Sequence, residues 1–271
     1  MKTIKKVFAV LGLAVAVPMA IAPSALAAND YYSPERNGYT QGNEPESQVI
    51  INSVTNNNQG STNAIGDERK FVRIVDTDGK LVTDKTLEAG KTYQVYVFFR
   101  NDAKNNTEAT IARDVKLAIE FPAFLEKGET GNLTGTITST NAVPAKITAT
   151  AKLTAKENMA LQYKVNSAGL YTSYRATTPL PVSDALFTSA GTLIGLNELD
   201  GRLAGGAENS GNVVFTLITT KADAPITTPN TGPTEVLIGI ASVLAVGGGA
   251  TAWFVTRRSA AKMMRQAKGR K

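Results

Sequence analysis

Residues 93–100 read YQVYVFFR, and this stretch alternates two sets of side chains along the chain. The two sets are Tyr93, Val95, Val97 and Phe99, and Gln94, Tyr96, Phe98 and Arg100. A period of two is the spacing with which a β-strand directs side chains to its two faces. The stretch therefore predicts a strong strand, with the first set on one face and the second set on the other.

The residues before this stretch indicate a hairpin. Residues 71–75 alternate in the same way, and the sequence DTDG at 76–79 provides a turn before Leu81 and Val82. The pattern Asp-x-Asp-Gly also opens calcium-binding loops, but such a loop needs a Glu at its twelfth position, where Leu87 stands. We therefore predict a turn here, and no metal site.

The residues after the stretch continue the strand pattern as far as Lys221. Val115, Leu117 and Ile119 are expected to face inward, with Lys116 and Glu120 outward. Residues 180–203 fit either a pair of strands or a short helix at 183–188. Further strands are predicted at 133–138, 145–153, 161–165 and 213–220. Seven or eight strands over residues 67–221 predict one all-β domain, a β-sandwich.

Residues 87–125 resemble the immunoglobulin-like repeat domain that is common on bacterial envelope proteins. The matching residues are 88–91 before the strong strand, Asn101 after it, then 112–115 and 121–125. The resemblance implies an immunoglobulin-like β-sandwich and implies no enzymatic activity.

Residues 28–66 are rich in Asn, Ser, Gly, Gln and Glu. Their one short apolar patch, at Val49, Ile50 and Ile51, buries too little surface to order the segment alone. We predict a flexible N-terminal extension, with one possible strand at 48–54 that docks on the domain.

The C-terminal part of the chain combines an apolar run with a basic tail. Residues 236–255, from Val236 to Val255, contain no charge, and a helix of that length would span about 30 Å, the thickness of a bilayer core. Trp253 lies near its end, and seven basic residues, beginning with Arg257 and Arg258, follow within 256–271. This arrangement predicts a single transmembrane helix in membrane lipid with a cytoplasmic tail. The alternative is a buried core helix with a solvated basic end.

The spacer at 222–235 contains a five-residue motif just before the apolar run. Its residues are Thr228, Pro229, Asn230, Thr231 and Gly232. With the run and the tail, it resembles the sorting signal of sortase substrates, in which Leu usually occupies the position of Thr228. The resemblance implies that a sortase joins Thr231 to an amine acceptor of the cell wall and releases the part that begins at Gly232. The alternatives are a Thr/Pro-rich spacer and a permanent, uncleaved membrane anchor.

The start of the chain predicts export. Three lysines within residues 1–6 precede an apolar segment, and Ala25 and Ala27 form a small-x-small site. Residues 1–27 are therefore predicted to be a signal peptide that signal peptidase cuts, leaving Ala28 as the new N-terminus. The alternative is an uncleaved first membrane helix, for which the apolar segment is short.

Composition restricts the chemistry of the exported part. The chain has no Cys and no His, so thiolate and imidazole sites cannot form. Without the three lysines of the signal peptide and the seven basic residues of the tail, 19 of the 29 basic residues remain. The same part of the chain contains 22 of the 23 acidic residues, since Glu235 lies beyond the motif. The net charge of the exported part is therefore near −3. Nucleic acid is not an expected partner, because it binds basic surfaces.

Two classes of function are open to the domain. One is a structural or adhesive surface module for an unknown surface or host ligand. The other is a surface hydrolase that works through two carboxylates, as glycosidases do. No spacing among the acidic residues singles out a pair, so we predict the module, with no catalytic residue and no cofactor.

A narrower hypothesis is an internal isopeptide bond between a Lys and an Asn. It would use Lys91 or Lys116 beside a buried acid such as Glu120. The bond needs an Asn near the end of the last strand, whereas Asn212 stands at the start of that strand, which disfavours it.

Overall fold

The strands of the chain form an all-β domain, described at residues 31–57 and 65–222 in a computed structural model. Only two short 3-10 helices occur there, at Glu108–Thr110 and Asp184–Phe187. No helix among these residues is long and apolar enough to cross a membrane. The strands are β1 Tyr32–Ser33, β2 Val72–Val75, β3 Leu81–Val82, β4 Asp84–Leu87, β5 Thr92–Arg100, β6 Lys116–Glu120, β7 Phe124–Leu125, β8 Thr130–Thr138, β9 Lys146–Ala155, β10 Met159–Tyr163, β11 Gly169–Thr172, β12 Leu180–Pro181, β13 Thr192–Leu193 and β14 Ser210–Lys221.

The strands are arranged in two sheets. A six-stranded sheet has the order β1-β9-β8-β6-β13, with β4 added in parallel to β9. An eight-stranded sheet has the order β12-β11-β14-β5-β2-β3, with β10 joining β14 to β7. All pairs except β4–β9 are antiparallel. The all-β prediction is confirmed.

The two sheets face each other across one core. Val95, Val97 and Phe99 of β5 are fully buried and belong to the same cluster as residues of β6, β8 and β9. The approach is close at Gly135 of β8, where a Cβ atom would lie 2.7 Å from Val72 Cγ2 of β2. Of the two faces predicted for residues 93–100, the one with Val95, Val97 and Phe99 is therefore the core face.

Most of the predicted strands are present, with shifted ends. Hairpin β2–β3 pairs Ile74 with Val82 around a turn in which Gly79 has φ +75°. In residues 180–203 the expected short helix is present as the 3-10 helix at Asp184–Phe187. The strands β12 and β13 that flank it are not a pair, since β12 pairs with β11 and β13 with β6. The predicted strand at 161–165 lies at Met159–Tyr163 instead, where β10 pairs with the end of β14.

The predicted N-terminal extension differs most from the structure. Its described part, residues 31–57, packs against the domain, with Tyr32, Val49 and Ile51 in the core. Residues 48–54 dock there as predicted, but through isolated bridges such as Ile51 with Asn101. The apolar patch is too small to form a core of its own, yet it is sufficient to complete one that two sheets already provide.

Candidate functional site

The predicted sorting, cleavage and anchor positions lie outside the described residues. They are Ala25, Ala27 and Ala28, the motif Thr228, Pro229, Asn230, Thr231 and Gly232, and the anchor residues Val236, Trp253, Val255, Arg257 and Arg258. The structure does describe the strand that leads to them. β14 ends at Lys221, and the N–H of Ala222 donates to the carbonyl of Asn158 at 3.1 Å.

β14 is a central strand of its sheet. It pairs with β5 on one side and with β10 and β11 on the other, and Lys221 lies opposite Met159. Ala222, the last residue that the structure describes, is six positions before Thr228. β14 is thus the last strand of the described part of the chain, and it is hydrogen-bonded on both sides by other described strands.

A buried ionic cluster lies at the C-terminal end of β5. Arg100 is 1% exposed, Glu68 0% and Asp102 2%. Arg100 Nε lies 2.5 Å from Asp102 Oδ1 and 3.3 Å from Glu68 Oε1, and Arg100 Nη2 lies 3.4 Å from Glu44 Oε1. Asn57 Nδ2 donates to Glu68 Oε1 at 2.6 Å. One cation therefore holds acidic residues from three separate parts of the chain.

The cluster fastens the N-terminal segment to β5. Asp102 Oδ2 accepts the N–H of Val54 at 3.2 Å and also the N–H of Ser53. Asn52 Oδ1 accepts the N–H of Arg100 at 2.8 Å, and Asn52 Nδ2 donates to the carbonyl of Phe98 at 3.0 Å. These bonds satisfy backbone groups of both segments, and such groups are costly to leave unpaired when buried.

Electrostatics inside the cluster follow from its burial. Burial, reinforced by the charge of Asp102 and opposed by that of Arg100, raises the pKa of Glu68 well above the ordinary value. Burial acts to lower the pKa of Arg100, but the carboxylates of Asp102 and Glu68 outweigh it and leave that pKa raised. Arg100 thus stays charged, while Glu68 favours its protonated form more than a solvated glutamate does.

Two close carboxylates with different surroundings are also a pattern found in acid–base catalysis. Here both oxygens of Asp102 are engaged, Oδ1 by Arg100 and Oδ2 by backbone N–H groups. Glu68 is fully buried beside it. An opening of about 320 Å3 is lined by Glu44, Arg100 and Asp102. Both carboxylate oxygens of Asp102 are already hydrogen-bonded, so neither is free to act on a substrate there. This geometry fits a structural clamp better than a hydrolytic pair.

The residues of the isopeptide hypothesis are not brought together. Lys91, Lys116 and Glu120 are exposed, so Glu120 is not a buried acid. The cation beside the buried acids is Arg100, and a guanidinium remains protonated in proteins and does not act as an amine nucleophile. The isopeptide hypothesis is therefore wrong about these residues, which lie on the surface.

The outer face of the eight-stranded sheet carries a groove of about 540 Å3, here called the outer groove. On this face Asn212 of β14 lies opposite Phe98 of β5 and Tyr171 of β11. The polar and aromatic residues that line the groove are Asn57, Gln94, Tyr96, Phe98, Ser210 and Asn212.

Sequence patterns did not indicate the cluster or the groove as sites. The one available signal was Arg100, a charge at the end of an otherwise uncharged strand. Its partners Glu68 and Asp102 belong to loops, and no periodic pattern marks them. The chain matches no known protein family, and searches of curated proteins and of solved structures find no similar protein.

Proposed function

We propose that this chain is an exported cell-surface protein, and that a sortase attaches its domain covalently to the cell wall at Thr231. The domain would be an immunoglobulin-like β-sandwich that serves as a structural or adhesive module. Signal peptidase would remove residues 1–27, and the helix at 236–255 would hold the chain in membrane lipid until the sortase acts. The partners in that step are the sortase and a cell-wall amine.

The observation that carries the proposal is the ordered series at the C-terminus, placed directly after the last strand. Motif, apolar run and basic tail follow one another from Thr228 to Lys271, and β14 ends at Lys221. The 13 residues at 223–235 can extend to at most about 45 Å. That length allows the domain to stand clear of a membrane while the motif stays near its surface, where a membrane-bound enzyme can reach it.

Two features of the domain support a module whose stability does not depend on disulfide bonds. The chain has no Cys, its two sheets are joined by one apolar core, and the buried cluster of Arg100 ties the N-terminal segment to β5. Both kinds of contact are independent of the redox state outside the cell. A permanent single-pass anchor is the second candidate, favoured by Thr228 in place of the usual Leu.

Surface display is tested by adding protease to intact cells that express the full chain. The domain should be degraded while a cytoplasmic marker protein stays intact, and the mature chain should begin at Ala28. Degradation only after lysis would contradict the proposal.

A further inference from the structure

We propose that the outer groove binds a neutral oligosaccharide. This inference concerns the ligand of the domain, and it goes beyond the anchoring proposed above. It rests on the chemistry of the groove, on its unused hydrogen-bonding groups and on its shape.

The groove is polar without being charged. Its polar side chains are the amides of Asn57, Gln94 and Asn212 and the hydroxyls of Tyr96 and Ser210, and none of the described lining residues is ionic. The cation beside it, Arg73, lies opposite Tyr96, and its Nη2 donates to the carbonyl of Ile65 at 2.9 Å. Amides and hydroxyls both donate and accept hydrogen bonds, as the hydroxyls of a sugar require. Phosphate or carboxylate ligands would call for cations instead.

Aromatic rings lie in the same rows of the sheet as these amides. Phe98, Asn212 and Tyr171 form one row across β5, β14 and β11, but Phe98 is only 7% exposed and Tyr171 is not among the lining residues. The accessible ring of the groove is therefore that of the half-buried Tyr96, the next outward residue of β5. Neighbouring strands are about 4.8 Å apart, so this row spans about 10 Å. The C–H face of a pyranose packs on an aromatic ring while its hydroxyls reach polar groups at the side, and a Tyr offers both.

Four polar side chains of the groove are not engaged by the described part of the chain. The side chains of Gln94, Tyr96, Ser210 and Asn212 make no hydrogen bond to any described residue. The buried amides of the fold are engaged instead. Asn101 Nδ2, for example, donates to the carbonyls of Thr110 and Leu203 at 2.7 and 2.9 Å. Within the described residues, the amides of Gln94 and Asn212 are therefore available to a ligand.

The base of the groove is formed by paired strands. Nine residue pairs join β5 to β14 beneath it, and Asn57 at its edge is tied to Glu68 of the buried cluster. Val75 and Gln94 also line a second opening of about 480 Å3, but its lining includes the ionic residues Asp76, Lys85, Glu88 and Lys91, so it is not part of the uncharged site. The outer groove alone, at about 540 Å3, has the size of a ligand pocket, and a preformed pocket lowers the cost of ordering a ligand.

The test uses the full-length chain, purified in a detergent without a sugar headgroup. It is applied to an array of neutral hexasaccharides of glucose, mannose, galactose and N-acetylglucosamine, with heparin and hyaluronan as acidic glycans. The wild type should bind at least one neutral hexasaccharide, and Gln94→Ala and Asn212→Ala should each weaken that binding by at least about tenfold. Gln162→Ala is the matched control, because Gln162 is an amide on the same sheet opposite Ile218 and outside the groove. This variant should bind as the wild type does.

Melting temperatures of all variants are compared to exclude unfolding, and Gln94 is exposed, so its replacement leaves the core intact. Absence of binding to every neutral glycan, or binding to the acidic glycans alone, would overturn the proposal. So would equal binding by the wild type and Gln94→Ala. Because the assay uses purified protein, its result does not depend on how the chain is anchored in the cell.

Discussion

Arg100 and Asp102 form a buried ion pair, with Arg100 Nε 2.5 Å from Asp102 Oδ1 and both side chains almost fully excluded from solvent. Arg100 is the last residue of β5, and Asp102 reaches the N-terminal segment through the backbone of Ser53 and Val54. The pair therefore joins β5, which the sequence predicts to be a strand, to the N-terminal segment, which the sequence predicts to be a flexible extension.

Breaking this pair should strongly destabilise the domain. In Asp102→Ala, Arg100 would lose its closest carboxylate and two backbone N–H groups would lose their acceptor. Loss of one partner of a buried pair costs about 3–5 kcal/mol. The free energy of unfolding in urea should fall by that amount.

A surface pair provides the control for this measurement. Arg113 and Glu108 are 2.8 Å apart, but their side chains are 47% and 67% exposed. Arg113→Ala should therefore cost at most about 1 kcal/mol. If the two substitutions cost the same, the buried cluster is not the clamp described above.

Glu68 should make the stability of the domain depend on pH. Its pKa is raised above 4.5, first by burial and then by Asp102, so between pH 4.5 and its folded-state pKa the folded chain binds a proton that the unfolded chain has lost. Across that window this group makes the free energy of unfolding increase as the pH falls. The dependence should be weaker in Glu68→Gln, which cannot titrate.

Glu88→Gln separates this effect from that of other carboxylates. A hydrogen bond from Lys156 and its charge lower the pKa of Glu88. The contribution of Glu88 to the free energy of unfolding is therefore lost only as the pH falls below 4.5. The variant should reproduce the wild-type dependence above pH 4.5. A Glu68→Gln curve that coincides with the wild-type curve above that pH would refute the role assigned to Glu68.

The N-terminal segment should contribute to the core. Ile51 is 2% exposed, and Ile51→Ala should lower the free energy of unfolding by about 2–5 kcal/mol, the cost of a large-to-small change in a core. Val165→Ala, at a side chain that is 61% exposed, should change it by no more than about 0.5 kcal/mol. An equally small effect of Ile51→Ala would mean that the segment is not packed as described.

The parts of the fold that sequence predicts well are those with a strong local pattern. The alternation of residues 93–100 predicts strand β5 and its two faces, and the DTDG turn at 76–79 predicts the β2–β3 hairpin. Two-residue strands such as β12 and β13 have no such pattern, because two residues are too few to show a period.

The buried cluster could not be predicted, because its members are distant in sequence and lie mostly in loops. Glu68 precedes Arg100 by 32 positions, and a glutamate in a polar stretch is usually solvated. The packing of residues 31–57 against the domain could not be predicted in full for a related reason. Its polar composition predicts disorder when it is considered alone, whereas its few apolar residues complete a core formed by other parts of the chain.

Extraction of the protein from cells tests covalent anchoring most directly. Wild-type chain and Thr231→Ala are compared after boiling in detergent, with and without prior digestion of the cell wall. If a sortase joins Thr231 to the wall, the wild type is released only after digestion, and Thr231→Ala is released by detergent alone. Full release of the wild type by detergent without wall digestion would contradict covalent attachment and would leave the helix at 236–255 as the anchor.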